Sequence, residues 1–184
     1  MPPPTRTPPS KWIEVGLRGL AAGGPDAVRV EQLAQVLGVT KGSFYRHFDD
    51  REALLEGMLD TWERLTVDEV IERVEREGGD ARAKLSRLFG LPAGRGRQVL
   101  KIELAIRDWA RRDKAVAKRL RRIDNRRMDY MRALFGAFCP DEEEVEVRCT
   151  VAFSTFIGSH FIAAEHGLRT RSDVLRLALE RLLA

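Results

Sequence analysis

The stretch from Val30 to Phe48 constrains the fold of this chain most, because it reads as two short helices joined by a tight turn. Apolar residues recur at helical spacing from Val30 to Leu37, which predicts a helix with one buried face. Gly38 follows directly, and glycine is best suited to the left-handed conformation that ends a helix. A second helix is predicted after Thr40, whose hydroxyl can cap it.

The second helix has an apolar side and a polar side. Phe44 and Phe48 are four residues apart, so both point back at the first helix. Its other face carries Lys41, Gly42, Ser43, Tyr45, Arg46 and His47. Such a pair of helices forms a helix-turn-helix, whose second helix enters the DNA major groove, where cations and hydroxyls bond phosphates and base edges. The alternative is an ordinary helical hairpin with a polar outer face; the spacing of the turn between two apolar stripes favours the helix-turn-helix.

Residues 40–48, TKGSFYRHF, followed by DDREALL, resemble the recognition helix and the start of the fourth helix in the TetR family of transcriptional regulators. The resemblance implies an all-α fold: an N-terminal three-helix DNA-binding domain with a helix-turn-helix, joined by a long helix to a C-terminal helical ligand-binding and dimerisation domain. The division expected is a disordered arm over residues 1–9, the DNA-binding domain over 10–58 and the effector-binding and dimerisation domain over 59–184.

The same resemblance implies which residues face DNA. These positions are Thr40, Lys41, Gly42, Ser43, Tyr45, Arg46 and His47. Tyr45 and His47 occupy places that family members use for phosphate, and Arg51 stands where a lysine is common at the start of the connecting helix. Arg29 departs from the pattern, because the family often has Ser or Thr as a cap there; it could still hold the same phosphate electrostatically.

Composition and charge agree with a DNA-binding protein of cytoplasmic location. Of 184 residues, 43% are hydrophobic and 33% charged, with a net charge of +4 that permits nucleic-acid binding. No apolar run is long enough to span a bilayer, so no membrane association is expected. The N-terminal MPPPTRTPP lacks the apolar core of a secretory signal. Arg6 in this arm could reach the minor groove, with a solvated tail as the alternative.

Residues 95–132 form the most basic region, with fourteen Lys or Arg against five Asp or Glu. This region is a rival nucleic-acid surface. Its charges surround a continuous apolar stripe, however, which favours a solvated face with ion pairs four residues apart. An anionic effector or an acidic partner is the remaining alternative.

Beyond the DNA-binding half, helical spacing predicts a long fourth helix from Asp49 or Asp50 to about Glu77. An unusually apolar helix is predicted from Asp141 to about His166, followed by a last helix capped by Ser172. Two such apolar C-terminal helices indicate burial against a partner, and the resemblance places the homodimer interface there. The dimer would set two recognition helices about one DNA turn apart on a pseudo-palindromic operator.

The sequence offers little site chemistry beyond DNA contacts. His160 and His166 share no helix face, so no metal site is predicted, and no catalytic constellation or cofactor motif stands out. The resemblance implies a pocket for an unknown small-molecule effector, and aromatic walls with a few polar groups suit such ligands. Candidate lining residues are Trp62, Trp109, Tyr130, Phe153, Phe156 and His160. Core packing is the alternative for each.

The function predicted is that of a homodimeric, ligand-responsive DNA-binding repressor and not of an enzyme. The alternative is a helical protein-interaction adaptor without sequence-specific DNA binding. The sequence leaves the operator, the effector and the regulated genes open, together with the choice between repression and activation.

Overall fold

The computed structural model of this chain describes residues 7–90 and 95–184. Regular secondary structure in these ranges is exclusively helical, which confirms the predicted all-α class. The helices are α1 (Pro9–Gly23), α2 (Val30–Leu37), α3 (Lys41–Phe44), α4 (Arg51–Glu63), α5 (Glu69–Glu77), α6 (Ala81–Phe89), α7 (Arg95–Ala110), α8 (Lys114–Gly136), α9 (Glu142–Gly158) and α10 (Arg171–Leu183).

The described residues form two compact units. The first lies within Met1–Asp68 and Ala93–Ile123, so it contains the helix-turn-helix, α7 and the first half of α8. The second lies within Glu69–Pro92 and Asp124–Ala184. The predicted functional division at residue 58 stays a prediction, because a compact unit defines a packed body and not its role.

The first unit has a core of large side chains from α1, α3 and α4. Trp12, Phe44 and Met58 are fully buried. The rings of Trp12 and Phe44 meet edge to face with centroids 5.3 Å apart, a favourable aromatic geometry. A Cβ at Gly16 would stand 2.7 Å from the Met58 sulfur, so this glycine lets α1 approach α4 closely. The core therefore packs Phe44 of α3 on α1, and it packs α1 directly on α4.

The long fourth helix exists but carries an irregularity. Asp50 caps it by accepting a 2.8 Å hydrogen bond from the amide of Ala53. The helical run continues to Glu77, and residues 64–68 within it form a π-helical segment. Within this segment, the hydroxyl of Thr66 donates to the carbonyl of Trp62 at 2.8 Å. Side-chain bonds of this kind compete with the backbone ladder and accompany local departures from α geometry.

The second unit has its own core, built from α6, α8 and α9. Its buried members are Leu85, Met131, Leu134, Phe135, Val145, Cys149 and Ala152. Asp80 caps α6 by accepting a 2.8 Å hydrogen bond from the amide of Ala83. Asp141 caps α9 by accepting from two backbone amides. Burial of the Cys149 thiol raises its pKa to about 11, and both cysteines are free thiols.

The end of α9 differs from the prediction. The helix was expected to reach about His166, yet it ends at Gly158. The guanidinium of Arg171 donates to the carbonyls of Ser159, at 2.8 Å, and of Ile162, at 2.5 Å. These bonds satisfy carbonyls that a longer helix would have used itself. The cap of α10 is Thr170, in a capping box with Asp173, so the prediction of Ser172 is also wrong.

Arg6, most of the predicted arm and residues 91–94 lie outside the described residues. Within the described ranges, α1 begins at Pro9. Across those same ranges, none of the helices combines the length and apolar character needed to cross a membrane.

Candidate nucleic-acid interface

The turn between α2 and α3 has the predicted glycine geometry. Gly38 takes a left-handed conformation, with φ of 66° and ψ of 31°, and its amide bonds back to carbonyls of the last turn of α2. The amide of Val39 donates to the carbonyl of Ala34 at 3.0 Å, which completes the helix end. Because left-handed φ strains residues with a Cβ, glycine here sets the angle at which α3 leaves α2.

The recognition helix is shorter than its sequence suggests. Regular α-helix covers Lys41–Phe44, and residues 45–47 continue as a turn. Thr40 occupies the N-cap position, but its hydroxyl makes no capping hydrogen bond, so that part of the prediction is wrong. The backbone alone closes the first turn, with the amide of Ser43 donating to the carbonyl of Thr40 at 2.9 Å. The Thr40 hydroxyl is therefore not engaged as a cap.

The predicted DNA-facing side chains point to solvent. Tyr45, Arg46 and His47 are exposed, and Ser43 is half-buried. Tyr45 retains 52% exposure while the edge of its ring meets Phe44 at a centroid distance of 5.2 Å. Arg46 and His47 make no side-chain hydrogen bond or ion pair with any part of the chain that the structure describes. Their donors are consequently available to an external partner.

Lys41 is exposed but has an internal partner. Its ammonium group pairs with the carboxylate of Glu31 on α2, and both side chains are at least half exposed. The hydrogen bond to Glu31 raises the pKa of Lys41, and the same bond lowers the pKa of Glu31. An exposed pair of this kind is worth little in water, so Lys41 can exchange Glu31 for another anion.

The two flanking arginines are held differently. Arg29 precedes α2 in an extended conformation and donates to the carbonyl of Asp26 at 3.2 Å. It is exposed and gives α2 no side-chain cap. Arg51 is half-buried, and its guanidinium donates to the carbonyls of Val28, at 2.8 Å, and of Pro25, at 2.5 Å. Arg29 is therefore available to a phosphate, whereas Arg51 is occupied within the fold.

Two of the effector candidates lie in the first unit, where they are buried. Trp62 is 1% exposed, and its indole nitrogen donates to the carboxylate of Glu103 at 2.9 Å. Arg107 donates to the other oxygen of Glu103 at 2.9 Å. Trp109 is 8% exposed. Glu103 escaped the sequence analysis, although an acid three residues before Ile106 on an apolar stripe signals a buried polar group that needs partners.

The other four candidates lie in the second unit, where Phe156 and His160 are in contact. The hydroxyl of Tyr130 donates to Glu75 at 2.7 Å, and burial together with this bond raises the pKa of Tyr130. Phe156 and His160 meet edge to face at 5.9 Å. Burial, followed by the nearby charge of Arg171, lowers the pKa of His160. Phe153 packs against the core of this unit.

A shallow groove of about 250 Å³ lies elsewhere in the first unit, between the end of α1 and α7. Its lining includes Leu20, Gly24, Lys101, Leu104 and Asp108. The lining contains none of the six effector candidates. Within the described ranges, no group of three or more His, Cys, Asp or Glu is arranged to hold a metal ion.

Part of the basic region is neutralised by acids. Arg119 contacts Glu56, Asp60 and Glu63, three acids on α4, and Arg122 also bonds Glu63. Arg112 pairs with Asp108 four residues earlier on α7, as predicted for a solvated face. Arg111, Lys114, Lys118 and Arg121 are exposed. The region therefore serves partly as the partner of the acidic face of α4.

Comparison with known proteins agrees with this geometry. Residues 13–58 match the family model described as bacterial regulatory proteins, tetR family. No curated protein matches the chain. A transcriptional regulator from Rhodococcus sp. Rha1 has a similar structure, with a TM-score of 0.72 and 21% identity over 96% of this chain and 94% of that one.

Two further solved structures are similar. A regulator from Saccharomonospora viridis in complex with choline has a TM-score of 0.78 and 18% identity, over 95% of this chain and 94% of that chain. The ketosteroid transcriptional regulator of Mycobacterium tuberculosis has a TM-score of 0.67 and 18% identity, over 98% of this chain and 95% of that chain. At these identities the likeness establishes a shared fold across nearly the whole chain.

Proposed function

We propose that this chain, whose residues 13–58 are the helix-turn-helix DNA-binding domain of the TetR family, is a ligand-responsive repressor. In this proposal it binds a pseudo-palindromic operator as a homodimer. The observation that carries the proposal is the exposure of polar side chains on the recognition segment, residues 40–47. The side chains of Arg46 and His47 there are exposed and bond no other described residue, and Tyr45 is half exposed beside them, in the turn that follows the buried Phe44 of α3.

The chemistry of this segment suits phosphates and base edges. Arg46 can bond guanine or phosphate, and the hydroxyls of Thr40, Ser43 and Tyr45 together with His47 can bond phosphate oxygens. Lys41 joins them once it exchanges Glu31 for a phosphate, and Arg29 is placed to meet the backbone at the start of α2. Gly42 leaves room for the DNA to approach.

Exposed apolar side chains on the second unit support the homodimer. Val147 and Val151 on α9 are 55% and 43% exposed, and Phe161 and Ile162 after its end are 67% and 55% exposed. Val147 and Val151 are four residues apart on α9, so they lie on the same face of this helix. An apolar face of this kind costs free energy in water until a partner covers it. A second copy packed through α9 and α10 would cover it and pair two recognition helices about 34 Å apart.

A small organic effector is proposed for the C-terminal part of the chain. The complex of the Saccharomonospora viridis regulator with choline supports a small-molecule ligand. An effector can release DNA only to the extent that it binds the released state more tightly. A regulator of this kind works in the cytoplasm, where its operator is.

The experiment that tests the proposal is a selection of the purified full chain against random duplex DNA, followed by binding to the winner over a salt series. A palindromic winner bound at nanomolar strength, two chains per site, is the expected result. Arg46→Gln should weaken binding and reduce the salt slope by about 1. Arg76→Gln is the matched control, because Arg76 is an exposed cation on α5 of the second unit.

Tyr45 separates the regulator from the adaptor alternative. Tyr45→Phe keeps the ring against Phe44 and removes only the hydroxyl, so the fold should be unchanged while operator binding weakens.

In the DNA selection, a shallow sequence preference without symmetry would instead indicate nonspecific binding by the basic surface of α7 and α8. Failure to bind DNA at all, with a folded dimer, would favour a protein-interaction adaptor.

A further inference from the structure

We infer that Arg51 positions the helix-turn-helix on α4 and does not itself contact phosphate, an inference that rests on the proposed DNA-binding function. Arg51 is the first residue of α4. Its Nε donates to the carbonyl of Val28 at 2.8 Å, and its Nη2 donates to the carbonyl of Pro25 at 2.5 Å. This arginine clasp joins the start of α4 to the segment that leads into α2.

Both carbonyls can accept these bonds without a cost to the helices. The backbone bond that begins α2 runs from the amide of Leu33 to the carbonyl of Arg29 at 3.0 Å, so the Val28 carbonyl precedes the ladder. The Pro25 carbonyl also accepts the amide of Val28 at 3.0 Å, and a carbonyl oxygen has two lone pairs. The clasp therefore closes the chain across the whole helix-turn-helix, from Pro25 and Val28 ahead of α2 to the first residue of α4.

The bonds require an arginine. Nε and one Nη lie on the same edge of the planar guanidinium, which presents two donors at a fixed spacing. A lysine at this position keeps the positive charge but offers a single nitrogen on a flexible stem. If the role of residue 51 were only to attract a phosphate, lysine would serve as well, and the resemblance indicates that lysine is common there.

The charge of Arg51 is also compensated inside the chain. Its Nη1 bonds the carboxylate of Glu52 at 3.0 Å, and Glu52 is 73% exposed. A phosphate contact at Arg51 would have to displace this carboxylate and both backbone carbonyls, whereas Lys41 would exchange one exposed carboxylate only. Arg46 has no such acid among its described contacts. The charge arrangement therefore favours Arg46 for phosphate and Arg51 for the clasp.

Preorganisation explains how the clasp affects affinity. When the start of α2 and the start of α4 are joined, the recognition segment between them is held in one orientation before DNA arrives. A looser segment would lose that freedom on binding, and the loss weakens affinity without removing any DNA contact. Such a loss is the same at every salt concentration, because no counterion release accompanies it.

The test compares Arg51→Lys and Arg51→Gln in the full chain. If Arg51 positions the helix-turn-helix, both variants should bind the selected operator about tenfold more weakly than the wild type at every salt concentration. Their salt slope should equal that of the wild type. A phosphate contact predicts that Lys retains wild-type affinity and that Gln lowers the slope by about 1, and that result would overturn the inference. Arg82→Lys is the matched control, because Arg82 Nε donates to a backbone carbonyl, of Leu183, at 2.7 Å in the second unit.

A second measurement needs no DNA. Arg51→Lys should speed hydrogen exchange of the Val28 amide severalfold, because this amide bonds the Pro25 carbonyl, which would lose its bond to Arg51. Exchange of the capped Ala83 amide of α6 should be unchanged. Unchanged exchange at Val28 would show that no clasp exists. If the wild-type chain shows no operator preference, both the proposed function and the positioning role of Arg51 are overturned. Faster exchange at Val28 in Arg51→Lys would still establish the clasp itself.

Discussion

The indole nitrogen of Trp62 on α4 donates a hydrogen bond of 2.9 Å to the carboxylate of Glu103 on α7, 41 positions away in the sequence. Both residues are nearly fully buried, at 1% and 4% exposure. Arg107 bonds the second oxygen of the same carboxylate, so the buried charge has partners on both sides. Trp62, an effector candidate from the sequence, thus also has a structural function as the polar link between α4 and α7.

Trp62→Phe should lower the free energy of unfolding by about 1 to 3 kcal/mol, because most of the ring packing remains while a buried carboxylate oxygen loses this donor. Glu103→Ala should cost about 3 to 5 kcal/mol, because it removes the buried carboxylate of the pair with Arg107. Urea denaturation of the singles and the double variant measures the coupling. If the two losses add within about 0.5 kcal/mol, the link contributes nothing.

The features that the sequence predicts well depend on local chemistry. The bounds of α2 follow from an apolar stripe that ends directly before Gly38, and the cap of α4 follows from Asp50. Each of these signals lies within a few residues of the structure that it specifies. The exposed face of the recognition segment follows from the same local pattern, because Phe44 fixes which side is buried.

The features that were missed depend on partners distant in sequence. The end of α9 at Gly158 follows from bonds made by Arg171, twelve residues beyond Ser159. The bonds of Arg51 reach residues 23 and 26 positions earlier. Ion pairs between helices decide which cations remain available to DNA. The charges of α8 can be read from the sequence, but the pairing of Arg119 with acids on α4 cannot.

Arg119 joins α8 to the acidic face of α4 and is expected to stabilise the first unit. Its side chain is 15% exposed, and among its acidic partners Glu63 is 14% exposed. Arg119→Met should lower the free energy of unfolding by about 2 kcal/mol or more, because the buried pair with Glu63 is broken and that carboxylate loses one of its cations. Thermal or urea unfolding monitored by circular dichroism measures the change.

Arg122→Met is the control for this prediction, since it removes the same charge and also a bond to Glu63. Arg122 is 60% exposed, and exposed pairs contribute roughly 0 to 1 kcal/mol. Equal losses from the two variants would contradict the view that the burial of Arg119 is what makes its pairs stabilising.

His160 should make stability depend on pH below neutrality. Burial, with a smaller effect of Arg171, lowers the pKa of His160 in the folded chain below its ordinary value. The unfolded chain therefore binds a proton at this imidazole more readily than the folded chain does. The contribution of His160 to the free energy of unfolding is complete above pH about 6.5, and it is lost as the pH falls through the folded pKa. The urea midpoint of the wild type should decline from pH 7 to pH 5.

His160→Gln should remove that part of the decline, because a glutamine side chain does not titrate. His47→Gln, at an exposed position, is the control and should leave the decline as it is in the wild type. Identical pH profiles for His160→Gln and the wild type would show that burial of His160 has no thermodynamic consequence. Each profile should be corrected for the change in the midpoint at pH 8, where the wild-type imidazole is neutral.

A substitution at Gly42 tests whether the absence of a side chain there is needed for DNA binding and not for folding. A Cβ added at Gly42 would meet only the hydroxyl of Thr40, at 3.8 Å, so the chain has space for it. Alanine is favoured over glycine inside helices by about 1 kcal/mol, so Gly42→Ala should leave stability unchanged or raise it by up to about that amount.

Operator affinity should move in the opposite direction, because the new methyl group would stand where the DNA backbone approaches the start of α3. We expect Gly42→Ala to weaken binding by about tenfold while the unfolding midpoint is equal to or above that of the wild type. Gly136→Ala is the matched control: a Cβ at Gly136, the last residue of α8, meets nothing within 4 Å, so this variant should not lose stability and should leave operator affinity unchanged. If Gly42→Ala binds the operator as tightly as the wild type, the DNA does not approach α3 at this residue, and the contact surface must lie further along the segment, toward Tyr45.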